Sequence, residues 1–266
     1  MEDLALPKRR RRGIYLLPNL FTTGTLFGGF YAVVSGMRGE FSYAAIAVFI
    51  AMICDVLDGT VARRTNTASD FGKEYDSLCD MVAFGVAASL VMYSFTLHNL
   101  SDYKWLGGKL GWVAAFMFTG CAALRLARFN VLASRGEAKG NFFGLPSPGA
   151  AAVLVGFVWM ADDFHLRGSD PSVVFTAAFL TIGAAILMIT NIRFFSLKSV
   201  NPRLFERVPF RYLMFAFIVL VLFSIKPPLI FFLVFLLYAL SGPSFALHRR
   251  LTQGPAPAGR GEPPSV

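Results

Sequence analysis

The stretch ICDVLDGTVARRTNTASDFGKEYDSLCDMVAFG, residues 53–85, places two pairs of aspartates, Asp55 with Asp58 and Asp76 with Asp80, in a region otherwise rich in apolar residues. Asp55 and Asp58 are three residues apart, and Asp76 and Asp80 are four residues apart. On a helix, both spacings bring the side chains to one face, with Cβ atoms about 5–6 Å apart. A short polar segment between the pairs allows one helix to turn back on the next. We therefore expect two helix ends to direct four carboxylates to one point.

Four converging carboxylates predict a metal site, because like charges cannot share a small space unless cations neutralise them. Hard oxygen ligands favour Mg²⁺, Mn²⁺ or Ca²⁺. Two such ions a few ångströms apart suit phosphoryl transfer, since they neutralise both the attacking and the leaving oxygen. The plainer alternative is a solvated turn of a helix hairpin. It is disfavoured because acidic residues at membrane depth are costly and usually functional.

The composition predicts an all-α, polytopic membrane protein. The 266 residues are 55% hydrophobic and only 15% charged, and the mean hydropathy is +0.57. Soluble domains do not have this composition, and the continuous apolar runs, each about 17–22 residues long, can span a bilayer as helices. We place about eight transmembrane helices at residues 20–37, 41–60, 76–98, 108–129, 147–163, 172–192, 210–225 and 227–246. Six spans followed by a re-entrant hairpin remain the alternative.

The distribution of Lys and Arg predicts the orientation of the chain. With a cytoplasmic N-terminus, 20 of the 25 Lys and Arg residues fall in cytoplasmic segments, as the positive-inside rule requires. This layout places the aspartates on the cytoplasmic side of the membrane. The net charge of +9 then indicates contact with anionic lipids rather than with nucleic acid. Cys54, Cys79 and Cys121 have no disulfide or zinc spacing.

The central stretch contains eight residues in a fixed pattern, Asp55-x2-Asp58-Gly59-x2-Ala62-Arg63-x8-Gly72-x3-Asp76-x3-Asp80. This pattern resembles, at every fixed position and spacing, the signature of the CDP-alcohol phosphatidyltransferase family. The resemblance implies a membrane enzyme with a six-helix core, in which a hydroxyl of a second substrate displaces CMP from a CDP-linked lipid or alcohol. It implies that Asp55, Asp58 and Asp76 bind Mg²⁺ or Mn²⁺. It further implies that Asp80 is the catalytic base and also contacts a metal ion.

The small residues of the pattern are expected to bind the nucleotide. The resemblance implies that they let the cytidine nucleotide approach the backbone, and glycine and alanine do permit close packing of a base or a phosphate against a helix. Arg63 supplies a planar cation suited to a phosphate. Gly72 is expected in the turn between the two aspartate helices. The predicted CDP-binding residues are Asp55, Asp58, Gly59, Ala62, Arg63 and Gly72.

Three further stretches narrow the choice of acceptor substrate. They are RRGIYLLPNLFTTGTLFGGFYA (11–32), LRLARFNV (124–131) and FFGLPSPGAA (142–151). These stretches are similar to bacterial phosphatidylserine synthases of the integral-membrane type. That similarity implies CDP-diacylglycerol and L-serine as substrates in a bacterial inner membrane, and the family resemblance suggests a homodimer. The similarity covers residues 11–200. The chain departs from the pattern of these proteins at Gly149, where alanine is expected.

The carboxylate of a serine acceptor requires a cation. Arg125 and Arg128 lie three residues apart near the cytoplasmic end of the fourth span, and Asn130 follows them. We predict that these three residues bind the serine carboxylate or a substrate phosphate. The alternative is that both arginines anchor the helix end by extending to the lipid surface.

The chain is accordingly divided into four regions. Residues 1–19 form a basic N-terminal segment with a possible interfacial helix, and residues 20–200 form the CDP-alcohol phosphatidyltransferase core. Residues 201–248 form two additional transmembrane helices, and residues 249–266 form a disordered tail rich in Gly, Pro and Ala.

Two other functions stay open at this point. A sibling transferase would use inositol phosphate or glycerol phosphate, which need additional cations, or choline, which an aromatic cage would bind. A cation channel or transporter would carry acidic residues in several spans, ideally in two related halves. The aspartates of this chain instead cluster in one hairpin, which favours the enzyme.

Overall fold

The computed structural model describes residues 16–65, 69–103, 109–134, 144–190, 192 and 225–252. All regular secondary structure in these ranges is helical, which confirms the predicted all-α class. The helices are α1 Leu16–Met37, α2 Phe41–Thr65, α3 Asp70–Asp80, α4 Ala88–Phe95, α5 Leu110–Ser134, α6 Ser147–Asp163, α7 Pro171–Ile189 and α8 Pro227–Thr252. A π-helical turn, Met81–Ala87, joins α3 to α4 without a break in helical backbone angles, and a 3₁₀ segment, Leu97–Asp102, follows α4.

Within the described ranges, six helical stretches are long and apolar enough to cross a membrane, which confirms a polytopic membrane protein. They are Asn19–Met37, Phe41–Ala62, Phe71–Phe95, Leu110–Leu132, Pro171–Ile189 and Pro227–Phe245. The predicted span at 147–163 is α6, whose 17 residues make it shorter than the others. The predicted span at 210–225 lies, except for its last residue, outside the described residues.

Helix α6 forms the centre of the bundle. Twelve of its 17 residues are buried, and most of them are alanine, glycine or valine. Small residues let helices approach closely where lipid provides no hydrophobic driving force between them. At Gly156, for example, a Cβ atom would lie 3.2 Å from the Cα atom of Phe232 on α8. The short central helix therefore holds α2, α4, α7 and α8 around it.

Helices α1 and α2 form a tight antiparallel hairpin. The Glu40 N–H donates to the Ser35 carbonyl at 2.9 Å, and the Gly39 N–H donates to the Gly36 carbonyl at 3.1 Å. Gly39 has a φ of 76°, the left-handed conformation that ends a helix in a Schellman motif. The first half of α1 consequently lies beside the second half of α2, where Asp55 and Asp58 are found.

The same helix α1 fixes the position of the π-helical turn. A Cβ atom at Gly29 would lie 2.6 Å from the Cα atom of Ala83, so only glycine allows this approach. The turn begins directly after Asp80, and π-helical turns occur frequently at functional sites. The contact between Gly29 and Ala83 therefore determines where the end of α3 lies.

The end of the bundle opposite the aspartates is held by polar contacts between helices. Lys226 forms an ion pair with Asp163 at 3.1 Å. Thr96 and Asn99 both donate to the Gly168 carbonyl, at 2.7 and 2.9 Å. These contacts join the ends of α4, α6 and α8 on the side of the bundle away from the aspartates.

Helix boundaries differ from the predicted ones in several places. Helix α3 begins at Asp70 rather than Asp76, because Ser69 caps it by accepting a 3.0 Å hydrogen bond from the Gly72 N–H. The prediction that Gly72 lies in the connecting turn was therefore wrong. At the chain ends, residues 16–19 form the first turn of α1, and residues 249–252 continue α8.

Candidate active site

Three of the four aspartates form a compact group. Oxygens of Asp55, Asp76 and Asp80 all lie within 4.8 Å of one another. Asp55 extends from α2, and the other two extend from one face of α3, as their spacing predicts. The hairpin therefore brings two helix ends together as the sequence indicates.

Asp58 lies beside this group and is the most buried of the four, with 4% of its surface exposed. Thr22 Oγ1 on α1 donates a 2.8 Å hydrogen bond to Asp58 Oδ2. The charge of Asp58 acts on both Asp76 and Asp80. The four carboxylates thus share one electrostatic environment, although the compact group contains only three of them.

The donor set fits a divalent cation. Asp76 Oδ1 and Asp80 Oδ1 are buried and have no hydrogen-bond partner in the part of the chain that the structure describes. A buried acceptor without a partner is costly, and buried like charges are more so. Carboxylate oxygens are the ligands that Mg²⁺ and Mn²⁺ prefer. A cation bound between these oxygens would satisfy both acceptors, so the group could bind metal.

The predicted nucleotide residues lie around the carboxylates. Gly59 and Ala62 follow Asp55 on α2 at i+4 and i+7, so the three share one face of the helix. Both small residues are partly exposed and therefore accessible from that face. Gly72 lies in the first turn of α3, where a Cβ atom would be 3.1 Å from Ser69 Oγ. Arg63 continues α2, and its side chain lies outside the described residues.

Arg125 reaches the aspartates from α5. Its Nη1 donates to Ser147 Oγ, at the start of α6, at 2.9 Å. Its Nε is buried, and no described residue forms a hydrogen bond with it. The positive charge acts on Asp80. Arg125 therefore lies between the carboxylate group and the N-terminal end of α6.

The other two predicted acceptor residues have different surroundings. Arg128, one turn further along α5, is exposed. Asn130 donates from Nδ2 to Ser77 Oγ at 2.9 Å, and Ser77 lies on α3 between the two aspartates. The structure thus brings Arg125 and Asn130 to the aspartate helix, whereas Arg128 lies at the exposed end of α5.

Four polar residues near the site were missed by the sequence analysis: Thr22, Ser77, Ser147 and Tyr238. Each is a hydroxyl residue in or beside an apolar span. The sequence signal that could have found them is a single hydroxyl residue within an apolar segment. Tyr238, for example, is the one tyrosine among the phenylalanines of residues 227–252. Isolated hydroxyl residues are common in membrane helices, however, so that signal alone selects none of them.

The order of these residues along the chain matches a known family. A family model for CDP-alcohol phosphatidyltransferase matches residues 15–189. The chain belongs to the CDP-alcohol phosphatidyltransferase family. The matched range runs from the start of α1 to the end of α7 and contains every predicted site residue, whereas α8 lies beyond it. The chain is accordingly a membrane-embedded transferase of this family, as its sequence pattern predicted.

Characterised members of the family are similar over most of the chain. A CDP-diacylglycerol–serine O-phosphatidyltransferase of Helicobacter pylori is 37% identical over 194 residues, which cover 72% of this chain and 78% of that protein. An archaetidylserine synthase of Methanothermobacter thermautotrophicus is 33% identical over 67% of this chain and 69% of its own length. A CDP-diacylglycerol–serine O-phosphatidyltransferase of Mycobacterium leprae is 30% identical over 250 residues, covering 91% of this chain and 78% of that protein.

Proposed function

We propose that this CDP-alcohol phosphatidyltransferase transfers the phosphatidyl group of CDP-diacylglycerol to the hydroxyl of L-serine, giving phosphatidylserine and CMP. The observation that carries the proposal is the compact group of Asp55, Asp76 and Asp80 within a membrane helix bundle. The names of the similar proteins support the acceptor. They differ in the lipid, phosphatidyl or archaetidyl, but share serine.

The four aspartates are proposed to hold two divalent ions, Mg²⁺ or Mn²⁺. Asp55, Asp76 and Asp80 supply the converging oxygens, and Asp58 completes the set from its position beside them. The bound ions would neutralise the pyrophosphate and stabilise the departing CMP. The buried Oδ1 atoms of Asp76 and Asp80, for which the described ranges provide no hydrogen-bond partner, support this assignment.

The nucleotide is proposed to lie against α2 and the start of α3. Gly59 and Ala62 leave room beside Asp55 for the cytidine or its phosphates, and Gly72 is assigned to the same site from the first turn of α3. Arg63, at the end of α2, provides a cation for a phosphate. Asp55 and Asp58 thus serve both the metal and the nucleotide sites.

Asp80 is proposed as the general base. It accepts the proton of the serine hydroxyl while the serine oxygen forms a bond to the phosphatidyl phosphorus and the bond from that phosphorus to the CMP oxygen breaks. A carboxylate has two oxygens, so the Asp80 oxygen that does not bind the metal could accept that proton. The transfer is one in-line step, so a trapped phosphatidyl-enzyme or ping-pong kinetics would contradict it.

The acceptor is proposed to bind beside α5. Arg125 provides a cation near Asp80 from within the bundle, and Arg128 provides a second from the exposed helix end. Asn130 aligns α5 with α3 through Ser77 and completes the group. A carboxylate bound by these residues would present its serine hydroxyl towards Asp80.

We also propose that the protein is a homodimer in a bacterial inner membrane, with its site on the cytoplasmic side. Among the described residues, Arg38, Lys109, Arg167 and Lys226 lie at the end of the bundle opposite the aspartates. Lys73 on α3 and Arg125 and Arg128 near the end of α5 lie on the aspartate side, which supports the orientation.

A panel of acceptors tests the function. Purified protein is incubated with CDP-diacylglycerol, Mn²⁺ or Mg²⁺ and one candidate acceptor, and the release of CMP is measured. The candidates are L-serine, inositol phosphate, glycerol phosphate and choline. We expect CMP release that depends on both serine and the divalent ion. Release that depends on another acceptor would contradict the serine assignment, and no release with any acceptor would contradict the proposed reaction.

A further inference from the structure

Helix α8 lies beyond the range that the family model matches, yet it packs firmly on the catalytic bundle. Phe231 and Phe235 stack on Phe49 of α2, with ring centroids 4.5 and 6.1 Å away. Phe232 contacts Phe157 of α6 edge to face at 5.7 Å. These aromatic contacts fix the rotation and the height of α8 relative to α2 and α6.

Tyr238 continues the packed face of α8 towards the aspartates, because it follows Phe231 and Phe235 at i+7 and i+3. Its ring lies against the first turn of α6. A Cβ atom at Gly149 would be 3.4 Å from Tyr238 Cε1 and 3.7 Å from Cδ1. Glycine at this position, where the family pattern led us to expect alanine, therefore leaves room for the ring.

Arg125 reaches the same turn of α6. Ser147, which accepts its hydrogen bond at 2.9 Å, is two residues before Gly149 and is 1% exposed. The guanidinium group and the phenol interact electrostatically. Ser147 accepts from Nη1, and the buried Nε has no hydrogen-bond partner among the described residues. A phenol oxygen can accept hydrogen bonds, whereas a phenylalanine ring lacks that acceptor.

We propose that Tyr238 is a positioning residue for the acceptor substrate. From α8 it restrains the guanidinium group of Arg125 between Ser147 and Asp80, so that the group faces the serine carboxylate. An arginine side chain loses considerable rotational entropy when it is ordered, and restraint before binding reduces that cost for the substrate. This inference rests on the proposed serine transfer and extends the site to a helix outside the family-matched range.

The test is the steady-state kinetics of Tyr238→Phe, with serine and CDP-diacylglycerol varied separately. The variant keeps the ring against Gly149 and removes only the hydroxyl. We expect the serine KM to rise about tenfold, which corresponds to the loss of one hydrogen bond to a charged group. The kcat and the KM for CDP-diacylglycerol should stay within about twofold of the wild type, a change of less than half a kcal/mol. Tyr93→Phe, a hydroxyl deletion on α4, is the matched control and should leave all three constants unchanged.

A double-mutant cycle with Arg125→Lys tests whether the effect passes through Arg125. We expect Tyr238→Phe to add little to the serine KM of Arg125→Lys. Any of three results would overturn the inference. Tyr238→Phe could change the KM for serine and the KM for CDP-diacylglycerol equally, it could leave the serine KM unchanged, or its effect on the serine KM could multiply with that of Arg125→Lys in the double mutant. If the wild-type enzyme itself does not depend on serine, the proposed function fails instead, so the two failures are distinguishable.

Discussion

Thr22 of α1 donates a 2.8 Å hydrogen bond to Asp58 of α2, and both side chains are buried, at 4% exposure each. The bond joins residues that are 36 positions apart. It orients the Asp58 carboxylate from α1. The first membrane helix is therefore part of the site.

Thr22→Val should weaken metal-dependent activity, because valine keeps the shape of threonine and removes the donor to Asp58. Loss of a residue that orients a ligand typically reduces metal affinity about 10–100-fold. We expect the Mn²⁺ concentration that gives half-maximal CMP release to rise by about tenfold at least. Thr25→Val is the control, since Thr25 Oγ1 is equally buried but donates to backbone carbonyls. Equal metal dependence in both variants would count against the role of Thr22.

Gly29→Ala should destabilise the protein and reduce its activity. The added Cβ atom would lie 2.6 Å from Ala83 Cα, so α1 must move away from the turn that follows Asp80. Overpacking of this kind costs about 1–3 kcal/mol. Thermal inactivation in detergent measures the effect. Gly120→Ala on α5 is the control because its Cβ atom would meet nothing within 4 Å. If Gly29→Ala is as stable as Gly120→Ala, the close contact does not determine the position of α3.

Arg128→Ala should raise the KM for serine about tenfold and change the KM for CDP-diacylglycerol much less, because we assign its charge to the acceptor carboxylate. Initial rates at varied serine and fixed CDP-diacylglycerol measure this difference. Arg167→Ala removes an exposed arginine at the opposite end of the bundle and should leave both constants unchanged. An unchanged serine KM in Arg128→Ala would support the alternative, in which this arginine only anchors the helix end at the lipid surface.

Much of the fold and the centre of the site could be predicted from the sequence, because both depend on local patterns. Apolar runs indicated the membrane helices, and aspartates at i+3 and i+4 indicated the hairpin that brings Asp55, Asp76 and Asp80 together. The start of α3 was misplaced by six residues because Ser69, a capping residue within a polar segment, was not recognised.

The surroundings of the aspartates could not be predicted, because they depend on which helix faces lie together. Thr22 contacts Asp58, and Ser147 contacts Arg125, only because α1, α2, α5 and α6 pack as they do. Helical spacing likewise placed Arg125 and Arg128 on one face. It could not indicate that Arg125 is enclosed by α6 while Arg128 is exposed near the end of α5.

The central claim is that Asp55, Asp76 and Asp80 converge to hold divalent ions for the cleavage of CDP-diacylglycerol. It is tested most directly by CMP release from purified Asp76→Asn, compared with wild type and with Asp163→Asn. Asp163 makes a surface ion pair at the other end of the bundle, so its variant controls for the loss of one carboxylate. We predict that Asp76→Asn releases no CMP at any Mg²⁺ or Mn²⁺ concentration, while Asp163→Asn keeps wild-type activity. Wild-type CMP release from Asp76→Asn would contradict the account.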